Sequence, residues 1–169
     1  MTIPHRNARY YARTDITVDP TATLLFSEIV MSGRKYHDGG EMFVYDLYST
    51  MIKAERPDGK NLFTEKLVIE PARFPPVRYG GIMGDHDVFG NVILLTPKEH
   101  ADAILEEVVP GRDGKVVSGA SRLPNDAGLI FKVLGPESEP VKAKVRDFWA
   151  LVRKAVLDTT IPPVPLWGG

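Results

Sequence analysis

Apolar and polar residues alternate from near the start of the chain. Over 8–18, Ala8, Tyr10, Ala12, Thr14, Ile16 and Val18 fall on one face. Arg9, Tyr11, Arg13, Asp15 and Thr17 fall on the other, which is the period-two pattern of a half-solvated strand. Asp19-Pro20-Thr21 turns the chain, and 23–31, rich in Leu, Ile and Val, predicts a second strand. Ser32-Gly33-Arg34 breaks it, and His37-Asp38-Gly39-Gly40 reads as a glycine-rich turn. Residues 41–54 read as one long strand with β-branched and aromatic residues on both faces, so both faces are expected to be covered. Arg56-Pro57-Asp58-Gly59-Lys60 is a turn, after which 61–69 pairs back as a hairpin.

The next stretch changes character. Prolines and glycines, from Pro71 to Gly90, make 71–90 an irregular connection, and 91–95 a short buried strand. Thr96-Pro97-Lys98-Glu99 predicts a helix start: Thr96 as N-cap, Pro97 in the first turn, Glu99 closing a capping box. Ala101, Ile104, Leu105 and Val108 continue it at helical spacing to Pro110-Gly111. Two further strands are expected over 115–122 and 127–134. Over 140–158, Val141, Val145, Phe148, Trp149, Val152 and Val156 form one face of an amphipathic helix. That face either packs on the chain's own sheet or docks a partner, with Phe148, Trp149 and Trp167 as the contacting residues. The proline-rich tail over 160–169 cannot be helical and is expected to be extended. Strands first, two helices late and no βαβ alternation define an α+β, mostly β, class.

Composition narrows the function classes. The chain has 169 residues, the size of a single domain over 1–169, with a net charge of −1. That balance excludes a nucleic-acid binder driven by bulk charge and gives no basic surface for a membrane. There is no cysteine, which removes disulfides, thiolate metal sites and a thiol nucleophile together. The 15 glycines and 14 prolines favour many turns and short strands. No apolar leader is visible, and no apolar run approaches the ~20 residues that cross a bilayer, so a cytoplasmic location is expected.

Phosphate-binding glycine loops, His-Glu-x-x-His and Gly-x-Ser-x-Gly are all missing. Asp85-His86-Asp87 is the one local cluster from which a small hydrolase could be built, but neighbouring side chains in an extended segment point apart. His37-Asp38 is a second loop pair of the same kind. Three carboxylates on apolar faces say more. Glu28 shares a face with Leu24, Phe26 and Val30; Glu41 opens the face of Phe43, Tyr45 and Leu47; Glu65 lies between Phe63 and Leu67. A buried carboxylate costs several kcal/mol unless it is paired, coordinated or wetted. Either structural ion pairs satisfy them, with Arg34, Lys53, Lys66 or Arg73 as cations, or they line a wet passage that holds a divalent metal weakly and releases it.

The segment Ala22-Thr23-Leu24-Leu25-Phe26-Ser27-Glu28-Ile29, then Ser32-Gly33-Arg34, then Gly40-Glu41-Met42-Phe43, resembles the urease accessory protein family UreD, also called UreH. Leu62–Leu67, the 91–95 strand with its helix, Gly119-Ala120-Ser121, the Gly128–Gly135 run and the final helix match in order. Thr21-Ala22 stands where the family has Gly-Ala. The resemblance implies stacked β-layers wound helically, with two helices toward the C-terminal side, and it begins near the middle of the family pattern, so the usual N-terminal half is absent from it. It implies a non-enzymatic protein that, with UreF and the GTPase UreG, binds apo-urease and delivers nickel, with a homodimer within a larger complex as one expected arrangement. Nickel is then in transit and no cofactor is tightly bound. Gly33, Arg34, Gly40 and Phe43 become structural motif residues, and Glu28, Glu41, Glu65 and His37 candidate lining of a metal passage. A plain interaction module is the remaining alternative.

Overall fold

The computed structural model describes residues 1–73 and 75–162. In chain order these form β1 (Arg9–Thr17), β2 (Leu24–Met31), β3 (Gly33–Arg34), β4 (Glu41–Met42), β5 (Leu47–Glu55), β6 (Asn61–Ile69), β7 (Val88–Leu95), α1 (Lys98–Glu107), β8 (Gly111–Asp113), β9 (Val116–Arg122), β10 (Gly128–Gly135) and α2 (Ser138–Leu157). The strands make a large sheet of order β2-β7-β10-β9-β8, a small sheet of order β1-β5-β6 and the β3-β4 pair. The class is α+β and mostly β, with stacked β-layers and two helices late in the chain, as the sequence pattern led us to expect.

Three layers follow from the faces of the large sheet. One face meets the helices. Val88, Val92 and Leu94 of β7 and Leu129, Phe131 and Val133 of β10 pack on Ala101 and Ile104 of α1 and on Val141, Phe148 and Val152 of α2. The Phe131 and Phe148 rings stack at 4.5 Å. Small residues let α2 come close: a Cβ on Gly90 would stand 3.1 Å from Val145, and one on Gly135 2.7 Å from Val141. The other face meets the small sheet through Ile93 and Leu95 of β7 against Ile16, Ile52, Ala54, Leu62 and Phe63, and through Val30 against Tyr45 and Tyr48. β7 is thus covered on both faces, which explains its almost uninterrupted apolar run.

Several expectations are corrected. The strand expected over 41–54 is interrupted: Phe43 has a φ of 56°, and β5 begins only at Leu47. The capping box is absent. Pro97 itself is the N-cap of α1 with no side-chain cap bond, and the buried Thr96 hydroxyl instead shares a 2.7 Å hydrogen bond with that of Thr23. β1 pairs parallel to β5, and β8 is a strand no alternation announced. Phe148 is a core residue and not an exposed docking residue. Trp149 is half-buried, with the Arg153 guanidinium 5.6 Å from its ring centre. Trp167 and the tail from residue 163 onward lie outside the described residues.

The layer contact sets an expected outcome. Phe148→Ala removes a ring that has only 1% exposure and should cost about 3–5 kcal/mol in denaturant unfolding. Trp149→Ala, cut from the half-buried flank of the same helix, should cost clearly less.

Candidate functional site

β2, β7 and β10 are in register at Glu28, Asn91 and Lys132, so three polar side chains form one row across the large sheet on the face toward the small sheet. The neighbouring rows on that face are apolar: Phe26, Ile93 and Ile130 on one side, Val30, Phe89 and Leu134 on the other. Glu65 reaches the row from β6 and Tyr48 from β5. Asn91 Nδ2 donates to Glu65 Oε2 at 2.7 Å and, at the limit of a hydrogen bond, to Glu28 Oε1 at 3.5 Å. The Tyr48 hydroxyl donates to Glu28 Oε2 at 3.4 Å, and Lys132 Nζ pairs with Glu65 Oε1. Asn91 is 2% exposed, and its Oδ1 has no partner among the described residues. Such an orphaned buried acceptor is uncommon.

The electrostatics follow from burial. Burial pushes the Glu28 carboxyl up, and the Glu65 charge adds to this, against the bonds from Asn91 and Tyr48 and the charge of Lys132. Burial and the Glu28 charge also push the Tyr48 phenol up, so it stays a donor. Two carboxylates and one idle amide oxygen form a set of hard oxygen donors. Among the described residues no three His, Cys, Asp or Glu side chains gather to hold a metal.

Glu41 stands in a different environment. Arg34 binds its Oε2 at 2.7 Å and Arg6 its Oε1 at 3.3 Å, so both oxygens are engaged. Burial alone would raise this carboxyl, but the Arg34 bond and charge, joined by Arg6, hold it below the usual range. The motif around it is a knot. A Cβ on Gly33 would fall 1.8 Å from the Glu41 carbonyl oxygen. Gly40 has a φ of 100°, and Phe43, in the left-handed region, donates its N–H to Ser32 and lies under the Arg78 guanidinium at 4.5 Å. His37 is exposed in the connecting turn. The structure thus brings Glu28 and Glu65 together and leaves Glu41 and His37 on a separate hairpin.

Asp85-His86-Asp87 does not assemble a catalytic group. The ring nitrogens of His86 face the carbonyls of Met83 and Lys115 at 2.9 and 3.1 Å. Asp87 is held by Lys35 at 3.1 Å and Arg78 at 2.8 Å, and Asp85 is exposed. Asn91 is the residue the sequence reading passed over. Its only signal was being the one polar side chain in the run Val88–Leu95. Lys132 and Tyr48 had none, because their roles come from cross-strand register and sheet stacking.

Two stacked sheets, with Glu28 and Glu65 converging on Asn91 between them, are the architecture and the site of this chain. The chain belongs to the UreD family: the family model for the UreD urease accessory protein matches residues 1–168. The chain is 51% identical over 167 residues to a Brucella canis protein and to a Brucella suis protein, each called urease accessory protein UreD 2, covering 98% of this chain and 55% of each relative. A Yersinia pseudotuberculosis urease accessory protein UreD is 50% identical over 167 residues, covering 98% of this chain and 52% of the relative. The chain spans about half the length of the curated relatives it matches.

The two kinds of carboxylate respond oppositely to pH. The Glu41 carboxyl titrates below its ordinary 4.5 in the folded chain, so its contribution is full above 4.5 and lost as pH falls through the lower value. Glu41→Gln should lower the urea midpoint at neutral pH, and the gap to the parent should close in acid. The Glu28 carboxyl titrates above 4.5, so its ionisation costs stability that grows as pH rises through the raised value. Glu28→Gln should leave the neutral-pH midpoint unchanged or higher.

Proposed function

We propose that this chain is a non-enzymatic urease maturation factor of the cytoplasm. It is a scaffold and metallochaperone that, with UreF and the GTPase UreG, delivers nickel to apo-urease. The observation that carries this reading is the convergence of Glu28 and Glu65, from different sheets, on one buried Asn91 whose Oδ1 is idle. Nickel is the cargo here, not a resident cofactor. Oxygen ligands without thiolate favour exchange over storage, and the chain offers no cysteine to retain the ion.

Each member of the row has a part in this reading. Burial disfavours the charge of Glu28, and an incoming dication offsets that cost. It competes with Lys132 for Glu65, and Lys132, whose side chain is 54% exposed, can turn outward into water. Asn91 then offers its oxygen while its amide hydrogens keep the carboxylates apart. Glu41 holds the β3–β4 hairpin through its arginines and supplies no ligand.

Coexpression with urease and its maturation partners, in a host lacking its own UreD, tests the reading. Glu28→Gln and Glu65→Gln should each lower the nickel content of purified urease several-fold, at unchanged expression and with no loss of melting temperature for Glu28→Gln. Full nickel loading by both single variants and by the double variant would overturn it.

A further inference from the structure

The large sheet has five strands and the small sheet only three, and the mismatch leaves a groove. β6 lies over β7 and β10, since Glu65 meets Asn91 and Lys132 there. Beyond β6 the large sheet continues as β9 and β8, with no further strand of the small sheet over them among the described residues. The floor is three cross-strand pairs: Leu134 with Val117, Lys132 with Gly119, and Ile130 with Ser121. They line an open cavity of about 390 Å³. Pro110 lies beside Gly119, its Cβ 3.7 Å from where a Cβ on that residue would stand.

We propose that this groove takes an extended segment of a partner protein, alternating apolar and acidic residues, as a fourth strand of the small sheet beside β6. Three observations converge on this. First, β6 has no backbone partner on its outer side among the described residues; the one group met there is the Leu62 carbonyl, which accepts from Asn125 Nδ2 at 2.9 Å. An edge of this kind is a template for strand addition. Second, a strand added there would turn every second side chain down onto the floor, where Leu134, Val117 and Ile130 flank the Lys132–Gly119 pair. Third, the side-chain ammonium groups of Lys60, just before β6, and Lys66, on its outer face, meet no carboxylate among the described residues, although the Lys60 backbone N–H donates to Asp58 Oδ1 at 3.0 Å. Lys66 only covers the Tyr11 ring at 5.7 Å. Acidic residues on the solvent face of the added strand would stand across from them.

Other occupants fit less well. A second copy joined edge to edge through β6 would bring its own β9 and β8 into the same space, because the large sheet projects past β6 in both. The β1 edge offers no comparable floor, since the strand nearest it below, β2, is itself the edge of the large sheet. The proposal stands on this geometry and is independent of nickel transfer.

A blocked short peptide of alternating valine and glutamate, titrated into the isotope-labelled chain, tests it by NMR. The expected result is shifts and slowed amide exchange at Thr64, Lys66 and Val68, with shifts at Gly119 and Lys132 on the floor. Gly119→Val should fill the groove and abolish the response. Lys66→Glu should weaken binding by about threefold to fivefold, and the same peptide with lysine for glutamate should also bind more weakly. Lys66→Glu decides the matter if Gly119→Val fails to fold. No response up to the solubility limit, a response centred on Tyr10 and Tyr11, self-association through β6 without peptide, or equal binding by Lys66→Glu would each overturn the proposal.

Discussion

The register that sets Glu28, Asn91 and Lys132 side by side is the constraint on which this molecule turns. Side chains alternate with a period of two, so a slip of one residue would carry Glu28 or Lys132 to the helix side, into the packed layer of Phe131 and Phe148. The apolar rows on either side hold the register by shape. The polar row holds it by chemistry, because Glu65 and Tyr48 can be satisfied only where Asn91, Lys132 and Glu28 actually are. The two layers are therefore locked in translation as well as pressed together. Apolar contact alone is non-directional and supplies the second effect without the first.

The hairpin of β3 and β4 fastens the rest to this frame. Its close approach at Gly33 lets Arg34 and Glu41 meet, and Ser32 binds the Asp87 carbonyl through both its N–H, at 2.8 Å, and its hydroxyl, at 2.6 Å. Lys35 then bridges Asp87 and Glu137, at the residue preceding α2. A chain of polar contacts thus runs from the hairpin to the start of the long helix. Asp87 of the Asp85-His86-Asp87 segment belongs to this chain of contacts through Lys35, Arg78 and Ser32.

Much of the fold was legible because local pattern and final environment agree. The alternation of 8–18 became β1, the turn at Pro57–Gly59 closed the β5–β6 hairpin, and the apolar spacing from Val141 to Val156 became α2. What was illegible depends on contacts distant in sequence. The parallel pairing of β1 with β5 has no local signature. The break after Met42 follows from the left-handed Phe43, a residue type that rarely adopts that conformation and is held there by Ser32 and Arg78. Thr96 has the chemistry of an N-cap but is drawn into a buried bond with Thr23. At the site, the carboxylates could be picked out as polar intruders on apolar faces, but not which of them would meet.

That last point separates two environments with one sequence signature. Glu28, Glu41 and Glu65 all interrupt apolar alternation. A guanidinium beside Glu41 supplies several fixed donors and a full charge, so the carboxylate is saturated and nothing about it is left to exchange. An amide beside Glu28 and Glu65 supplies two donors and no charge. It leaves Glu28 in a site where its charge is disfavoured, and its own Oδ1 is buried without a partner among the described residues. The cation paired with Glu65, Lys132, stands half in water. Two guanidinium groups fasten Glu41 into its hairpin, whereas Glu28 meets only neutral donors at 3.4 and 3.5 Å, so the partner residue, more than the carboxylate, decides the environment of each glutamate.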